Sequence, residues 1–129
     1  MNDTTKAVDA QQQTRAELFN SGGLIDVSEI ARDIGLISPV AFTRGVWDAV
    51  VVPSESSRRW GQAEAARAQD VLFMFKTFAR NHADEKVFAF PVVFVNKHDT
   101  QQNITLVAVM GRGDDGEPVI SIALPVEVN

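Results

Sequence analysis

The sequence predicts an α+β fold in which N-terminal helices and one long central helix pack on a C-terminal three-stranded antiparallel meander. Up to about residue 81, apolar residues recur at helical steps of three and four positions. After Asp84 the apolar period becomes two, and three strand-like segments follow, joined by short polar links. A run of helices followed by a run of strands is typical of α+β proteins rather than alternating α/β proteins.

The composition is that of one ordinary soluble domain. The chain has 129 residues, of which 45% are hydrophobic and 22% charged, and this length is sufficient for a single core. Residues 1–13 are polar and predict a disordered tail, which leaves 14–129 as one domain. Apolar runs are too short to cross a bilayer and no basic-then-apolar signal occurs, so we expect a cytoplasmic protein with no membrane partner.

Cysteine content and charge exclude several function classes. The sequence contains no Cys, which removes thiol catalysis, Cys-ligated zinc and iron–sulfur clusters. Twelve Lys and Arg against seventeen Asp and Glu give a net charge of −5. This charge opposes binding to nucleic-acid backbones and to anionic lipid.

Capping signals predict a first short helix. Thr14 and Glu17 have the spacing of a capping box, in which each side chain bonds the other residue's backbone N–H. The glycine pair at 22–23 ends this helix. Residues 24–27 form a brief buried stretch after it.

Two further helices are predicted before the central one. Asp26 or Ser28 caps the second helix, and Gly35 supplies its left-handed exit. Pro39 prevents a continuous helix beyond this point because it lacks an N–H. A third helix restarts after Thr43 and places three apolar residues inward, namely Val46, Trp47 and Val50.

The central helix is predicted from Gln62 to about Asn81 because its apolar residues form a broad stripe. The stripe consists of Ala65, Ala68, Val71, Leu72, Phe75, Phe78 and Ala79.

Three strands follow, at 86–96, 103–111 and 118–125, and Pro91 indicates an edge strand or a bulge. Both faces of these strands carry apolar residues. One face takes the central helix, and the other requires the N-terminal helices or a partner subunit, so a homodimer is one of the open alternatives.

The turn at 111–118 is rich in glycine and acid. It fails as a phosphate loop because no helix follows, and it is too short for a calcium loop. A hairpin turn explains the glycines. Asp114, Asp115 and Glu117 are then either solvated charges or an acidic patch that faces a partner.

The loop at 53–60 offers a second candidate contact. Arg58, Arg59 and Trp60 lie together in it, and Trp and Arg are enriched where binding energy concentrates at interfaces. In the alternative interpretation, Trp60 packs at the start of the central helix as a hydrophobic staple.

Neither a catalytic set nor a cofactor motif occurs in the sequence. His82 and His98 each have acidic neighbours and would offer metal ligands if they met in space, but no metal-binding spacing is present. A nucleophile elbow is absent, and the paired carboxylates lie in polar segments that do not raise a pKa. We therefore expect no catalytic, cofactor-binding or metal-binding residues and no enzyme activity.

Residues 28–46 allow one other interpretation, a helix-turn-helix. The helix that ends at Gly35 has the form of the first half of this motif. A recognition helix presents polar side chains to DNA, whereas 38–49 contains one Arg, one Asp and mostly apolar residues. A capped helix ended by glycine is the simpler interpretation, and a DNA-binding regulator is the alternative function.

Several strings occur together in this chain: 23–28, 39–44 with Trp47, 70–72, 113–122 and 124–125. As a set they resemble a family of small bacterial proteins of unknown function that are commonly encoded on plasmids and other mobile elements. The resemblance runs from about Thr14 to Pro125. It implies no activity and no catalytic residue, and it implies a gene that travels with mobile DNA.

Together these observations predict a non-enzymatic accessory protein of a mobile genetic element. We expect it to bind a host protein and to inhibit a host defence system of the anti-CRISPR or anti-restriction type. Its acidic residues would complement a basic nucleic-acid-binding surface on that target. The candidate contacts are Asp114, Asp115, Glu117, Arg58, Arg59 and Trp60.

Overall fold

A computed structural model describes residues 13–51, 64–95 and 101–128. Within these ranges the predicted α+β class is confirmed. The helices are α1 (Arg15–Ser21), α2 (Ser28–Asp33), α3 (Arg44–Val46), which continues as a π-helix (Trp47–Val51), and α4 (Glu64–Ala79), which continues as a 3-10 turn (Arg80–His82). The strands are β1 (Leu24–Asp26), β2 (Val40–Thr43), β3 (Val87–Val95), β4 (Gln101–Arg112) and β5 (Pro118–Ala123), and a 3-10 turn (Pro125–Glu127) follows.

The sheet is five-stranded and mixed, with the order β1-β2-β5-β4-β3, so the predicted three-stranded arrangement is wrong. Strands β3, β4 and β5 pair antiparallel, as expected for consecutive strands with short links. Beyond them, β5 pairs parallel with β2, and β2 pairs antiparallel with β1. The two additional strands have only three and four residues, which is too short for an alternating pattern to show in the sequence.

Helix α4 packs on the inner face of this sheet. Its Phe75 ring stacks with Phe88 at 5.8 Å between centroids and meets Phe90 edge-on at 6.0 Å. Phe75, Phe88 and Phe90 are buried together with Phe42 of β2 and Leu106 of β4. Four residues of the predicted stripe of α4 are buried at the centre of the core, namely Ala68, Val71, Leu72 and Phe75, whereas Ala65 is exposed.

Helix α1 lies on the outer face, at the β1 end of the sheet. Its Arg15 guanidinium donates to the Ser121 hydroxyl (2.9 Å) and to the Ile120 carbonyl (3.2 Å) of β5. The N-terminal helix thus covers part of the outer face. Strand β3, at the opposite edge, keeps its outer residues exposed.

The predicted capping box of α1 is found, and so are the left-handed glycines predicted to end α1 and α2. Thr14 and Glu17 form the capping box, and Gly22 (φ +85°) and Gly35 (φ +92°) take the left-handed conformation that favours glycine. The predicted side-chain cap of α2 is wrong: the N-cap is Val27, which makes no side-chain capping bond, and the carboxylate of Asp26, one residue earlier, accepts the Ser28 N–H (2.9 Å).

The helix-turn-helix interpretation is wrong for this segment. The residues that would form its second helix include β2, whose Val40 and Thr43 are β-branched and favour a strand. A helix does restart after Thr43 as predicted, because the Thr43 hydroxyl accepts the Val46 N–H (3.2 Å). Val46 and Val50 are buried, whereas Trp47 is half-buried.

Candidate functional site

Asp114, in the acidic turn at 111–118, has a structural role. Its carboxylate accepts the N–H groups of Arg15 (2.8 Å) and Ala16 (3.0 Å) at the start of α1. These backbone hydrogen bonds hold the pKa of Asp114 below its usual value. Asp114 therefore anchors the N-terminus of α1 to the turn between β4 and β5.

Glu117 also bonds within the turn. Its carboxylate accepts the Asp115 N–H (3.0 Å), and it occupies the space that a side chain at Gly113 would need. The Asp115 carboxylate is exposed and makes no hydrogen bond among the described residues. The structure thus brings the three predicted acidic residues together, but only Asp115 presents a carboxylate that the fold does not use.

A cleft of about 260 Å³ opens between α1 and this turn. Its lining includes Arg15, Phe19, Asp26 and Asp115. The Arg15 guanidinium is already bonded to β5 and lies 5.7 Å from the centre of the Phe19 ring. Burial lowers the pKa of Arg15, and the negative charge of Asp114 opposes this effect. Arg15 and Asp114 therefore hold α1 in place, whereas the Asp115 carboxylate at the rim of the cleft is free of such a task.

We expect the docking of α1 to weaken as the pH falls through the carboxylate range. Because the pKa of Asp114 is lowered in the folded protein, its contribution to stability is present above the unfolded-state pKa and is lost as pH falls through the folded one. Thermal unfolding across this pH range should show a smaller acid dependence for Asp114→Asn than for the native chain. Asp115→Asn is the matched control, and an equal loss of acid dependence in both variants would contradict the anchoring role.

The described structure shows no contact between this turn and the other residues considered as site candidates. Arg58, Arg59, Trp60 and His98 lie outside the described residues. His82 bonds Glu85 (2.7 Å) and stacks on Phe88 at 4.6 Å, so it closes the end of the aromatic core. Among residues 13–51, 64–95 and 101–128, three or more side chains suited to a metal do not converge anywhere.

A surface on the outward side of α4 was not predicted. Phe73 is 59% exposed and lines a cleft of about 230 Å³ with Lys76, Thr77 and Arg80. The Lys76 ammonium donates to the Ile34 carbonyl (2.6 Å), which brings α4 next to the exit of α2.

Ile37, three residues beyond Ile34, is 89% exposed. We call Phe73, Lys76, Thr77 and Arg80 the helix-side surface. The signal in the sequence was Phe73 itself, a large aromatic residue that lies off the apolar stripe of its helix.

The uncovered part of the outer sheet face forms a second surface. Val87 and Val93 of β3 are 49% and 45% exposed, and β4 contributes the polar residues opposite Pro91 and Val93. We call the exposed outward residues of these two strands the sheet-side surface: Val87, Ala89, Pro91, Val93, Asn103 and Thr105.

Arg67 and Asp70 of α4 connect the helix to neighbouring elements. The Arg67 guanidinium lies 3.9 Å from the centre of the Phe94 ring and donates to the Val50 carbonyl (2.9 Å). Burial raises the pKa of Asp70, and the charge of Arg67 opposes the rise. These contacts indicate a structural role, because they join α4 to β3 and to the π-helix.

Within the described residues, the helices are too short or too polar to span a membrane. Comparison with protein-family models, with curated proteins and with solved structures finds no match for this chain.

Proposed function

We propose that this chain is a non-enzymatic accessory protein that acts by binding a host protein. The observation that carries the proposal is the helix-side surface, where Phe73 is 59% exposed between charged neighbours. Exposed apolar patches with a polar rim are typical of interaction sites. Aromatic and Arg side chains are also the residues that most often dominate binding energy.

The helix-side surface combines apolar and cationic groups. Phe73 and Lys76 of α4 lie one helical turn apart, and Arg80 of the 3-10 turn that continues the helix lines the same cleft. The hydrogen bond from the Lys76 ammonium to the Ile34 carbonyl holds the Lys76 side chain in position beside Phe73. A partner would bury the Phe73 ring and satisfy the Arg80 guanidinium with a carboxylate or carbonyl group.

The acidic turn supplies a second, smaller contact in this proposal. Asp115 is exposed, and its carboxylate would face a basic group of the partner. Neutralising all three acids is a poor test, because loss of Asp114 also releases α1. Asp115→Asn is the substitution that changes the charge and leaves the described hydrogen bonds intact.

The resemblance to proteins encoded on mobile elements supports the biological setting. We propose that the host partner belongs to a defence system, of the anti-CRISPR or anti-restriction type. The exposed carboxylate of Asp115 suits this role, because it would complement a basic group on such a target.

Affinity purification of the tagged protein from its bacterial host, at moderate salt and with nuclease, tests the proposal. We expect a stoichiometric host protein that survives nuclease, and we expect Phe73→Ala to weaken its binding about 30-fold or more. Val126→Ala removes another exposed apolar side chain outside both surfaces and should leave binding unchanged. Nucleic acid as the sole bound component would overturn the proposal in favour of a DNA-binding regulator.

A further inference from the structure

We propose that the helix-side surface binds an acidic peptide segment of the partner protein, in which a carboxylate side chain lies close to an apolar one. This inference rests on the proposed function, because it names the chemistry of the segment that the same cleft takes. Two features of the cleft support it, namely the sign of its charge and the presence of an exposed aromatic ring beside its cations.

The cleft has a charge opposite in sign to that of the whole chain. The chain carries a net charge of −5, whereas the described residues that line the cleft include Lys76 and Arg80 and no carboxylate. A cationic cleft on an acidic protein attracts an anionic group to that cleft. The acidic remainder of the chain repels a polyanion such as nucleic acid, so a segment with one or two carboxylates fits better than a phosphate backbone.

The Arg80 guanidinium is the group best suited to hold a carboxylate of the segment. Arg80 is exposed, and its side chain makes no hydrogen bond or ion pair with any described residue. Glu85, five residues further along the chain, is bonded to His82 instead (2.7 Å). A guanidinium binds a carboxylate through two parallel N–H donors, which gives both strength and a fixed orientation.

The other polar side chains of the cleft are partly used by the fold. The Lys76 ammonium gives one of its three N–H donors to the Ile34 carbonyl (2.6 Å). The Thr77 hydroxyl donates its proton to the Phe73 carbonyl (2.9 Å). Lys76 therefore adds positive charge and its remaining donors, and the choice of an acidic ligand depends chiefly on Arg80.

Phe73 requires an apolar group in the same segment. Its ring is 59% exposed and lines the cleft together with Arg80. The cleft volume of about 230 Å³ is below the roughly 300 Å³ typical of small-molecule sites, so it suits side chains of a peptide rather than a free metabolite. A carboxylate and an apolar side chain within a few residues of each other would satisfy Arg80 and bury the Phe73 ring together.

Selection of random peptides displayed on phage, with the purified native chain as bait, tests the chemistry without knowledge of the partner. We expect the enriched sequences to carry Asp or Glu within a few residues of a large apolar side chain. Enrichment of basic or uncharged sequences, or of no sequence, would overturn the proposal. The same result would follow from an oligonucleotide, or a second copy of the chain, that binds through Arg80 in place of any peptide.

The variant Arg80→Glu tests the site of binding. Fluorescence anisotropy of the most enriched peptide should show binding about 30-fold or more weaker, because a carboxylate then faces a carboxylate. Lys86→Glu is the matched control: Lys86 is exposed, lies outside the cleft lining and gives the same change in net charge. Equal losses in the two variants would assign the effect to overall charge and contradict the assignment to this cleft.

A double-mutant cycle tests direct contact between Arg80 and the peptide. Arg80→Gln is combined with a peptide in which the acidic residue is replaced by its amide. We expect the two changes together to weaken binding at least ten-fold less than the product of their separate effects, as for groups in contact. Independent effects would overturn the pairing. Circular dichroism of each variant checks that it is folded, and Arg80→Gln provides a second loss of charge if Arg80→Glu does not fold.

The same variants separate this inference from the proposed function. A host protein that is retained by Arg80→Glu and lost by Phe73→Ala would leave the proposed function standing and overturn the acidic segment. Enrichment of acidic peptides that depends on Arg80, with no host protein bound by the native chain, would support the chemistry of the cleft and overturn the proposed function.

Discussion

Replacing Phe75 by Ala is expected to lower the free energy of unfolding by about 3–5 kcal/mol. The Phe75 side chain is 2% exposed and lies between the rings of Phe88 and Phe90. Truncation removes buried apolar surface, leaves a cavity and breaks two aromatic contacts. Such a loss is a large part of the stability of an ordinary domain, which is about 5–15 kcal/mol.

Phe73→Ala is the matched control, because it makes the same chemical change two residues away on the same helix. Phe73 is exposed, so its truncation should change the unfolding free energy by no more than about 0.5 kcal/mol. Urea unfolding of both variants measures the difference. Similar losses in the two variants would mean that α4 is rotated relative to the sheet.

Replacing Val92 by Asp is expected to prevent folding at neutral pH. Val92 is fully buried on the inner face of β3, and among the described residues the core contains no polar side chain that would bond a carboxylate. An unpaired buried carboxylate costs more than about 4 kcal/mol, which places the substitution among the most damaging single changes.

The neighbouring substitution Val93→Asp tests the same strand on its other face. Successive residues of a strand point to opposite sides of the sheet, and Val93 is exposed. We expect this variant to keep the native circular dichroism spectrum, whereas Val92→Asp should give that of an unfolded chain. The reverse result would mean that the register of β3 differs by one residue from the one described, because such a change exchanges the two faces of a strand.

Much of the local structure could be predicted because its signals lie within a few residues. The capping box of Thr14 and Glu17, the exit glycine of α2 and the stripe of α4 each depend on neighbours in sequence. Strands β3, β4 and β5 were predicted for the same reason, since each is long enough to show alternation or a β-branched run. Pro91 predicted an edge strand or a bulge, and β3 is an edge strand of the sheet.

The remaining features depend on contacts between distant residues. The role of Asp114 could not be predicted from the sequence, because its partner, the Arg15 N–H, lies 99 positions away along the chain. Strands β1 and β2 were missed because three or four residues carry no period, and they belong to the sheet only because β2 pairs with β5 and β1 pairs with β2. Phe73 could have been found, since an aromatic residue off an apolar stripe already indicates an exposed position.

The parallel pairing of β2 with β5 also constrains the order in which the chain folds. Val40 lies beside Ile120, so about 80 residues separate the two partners of this pair. Contacts of such long range require the closure of a large loop and slow the search for the native state. During synthesis on the ribosome, β1 and β2 cannot join the sheet until β5 has emerged, so these two early strands reach their final pairing only when the C-terminal strand is made.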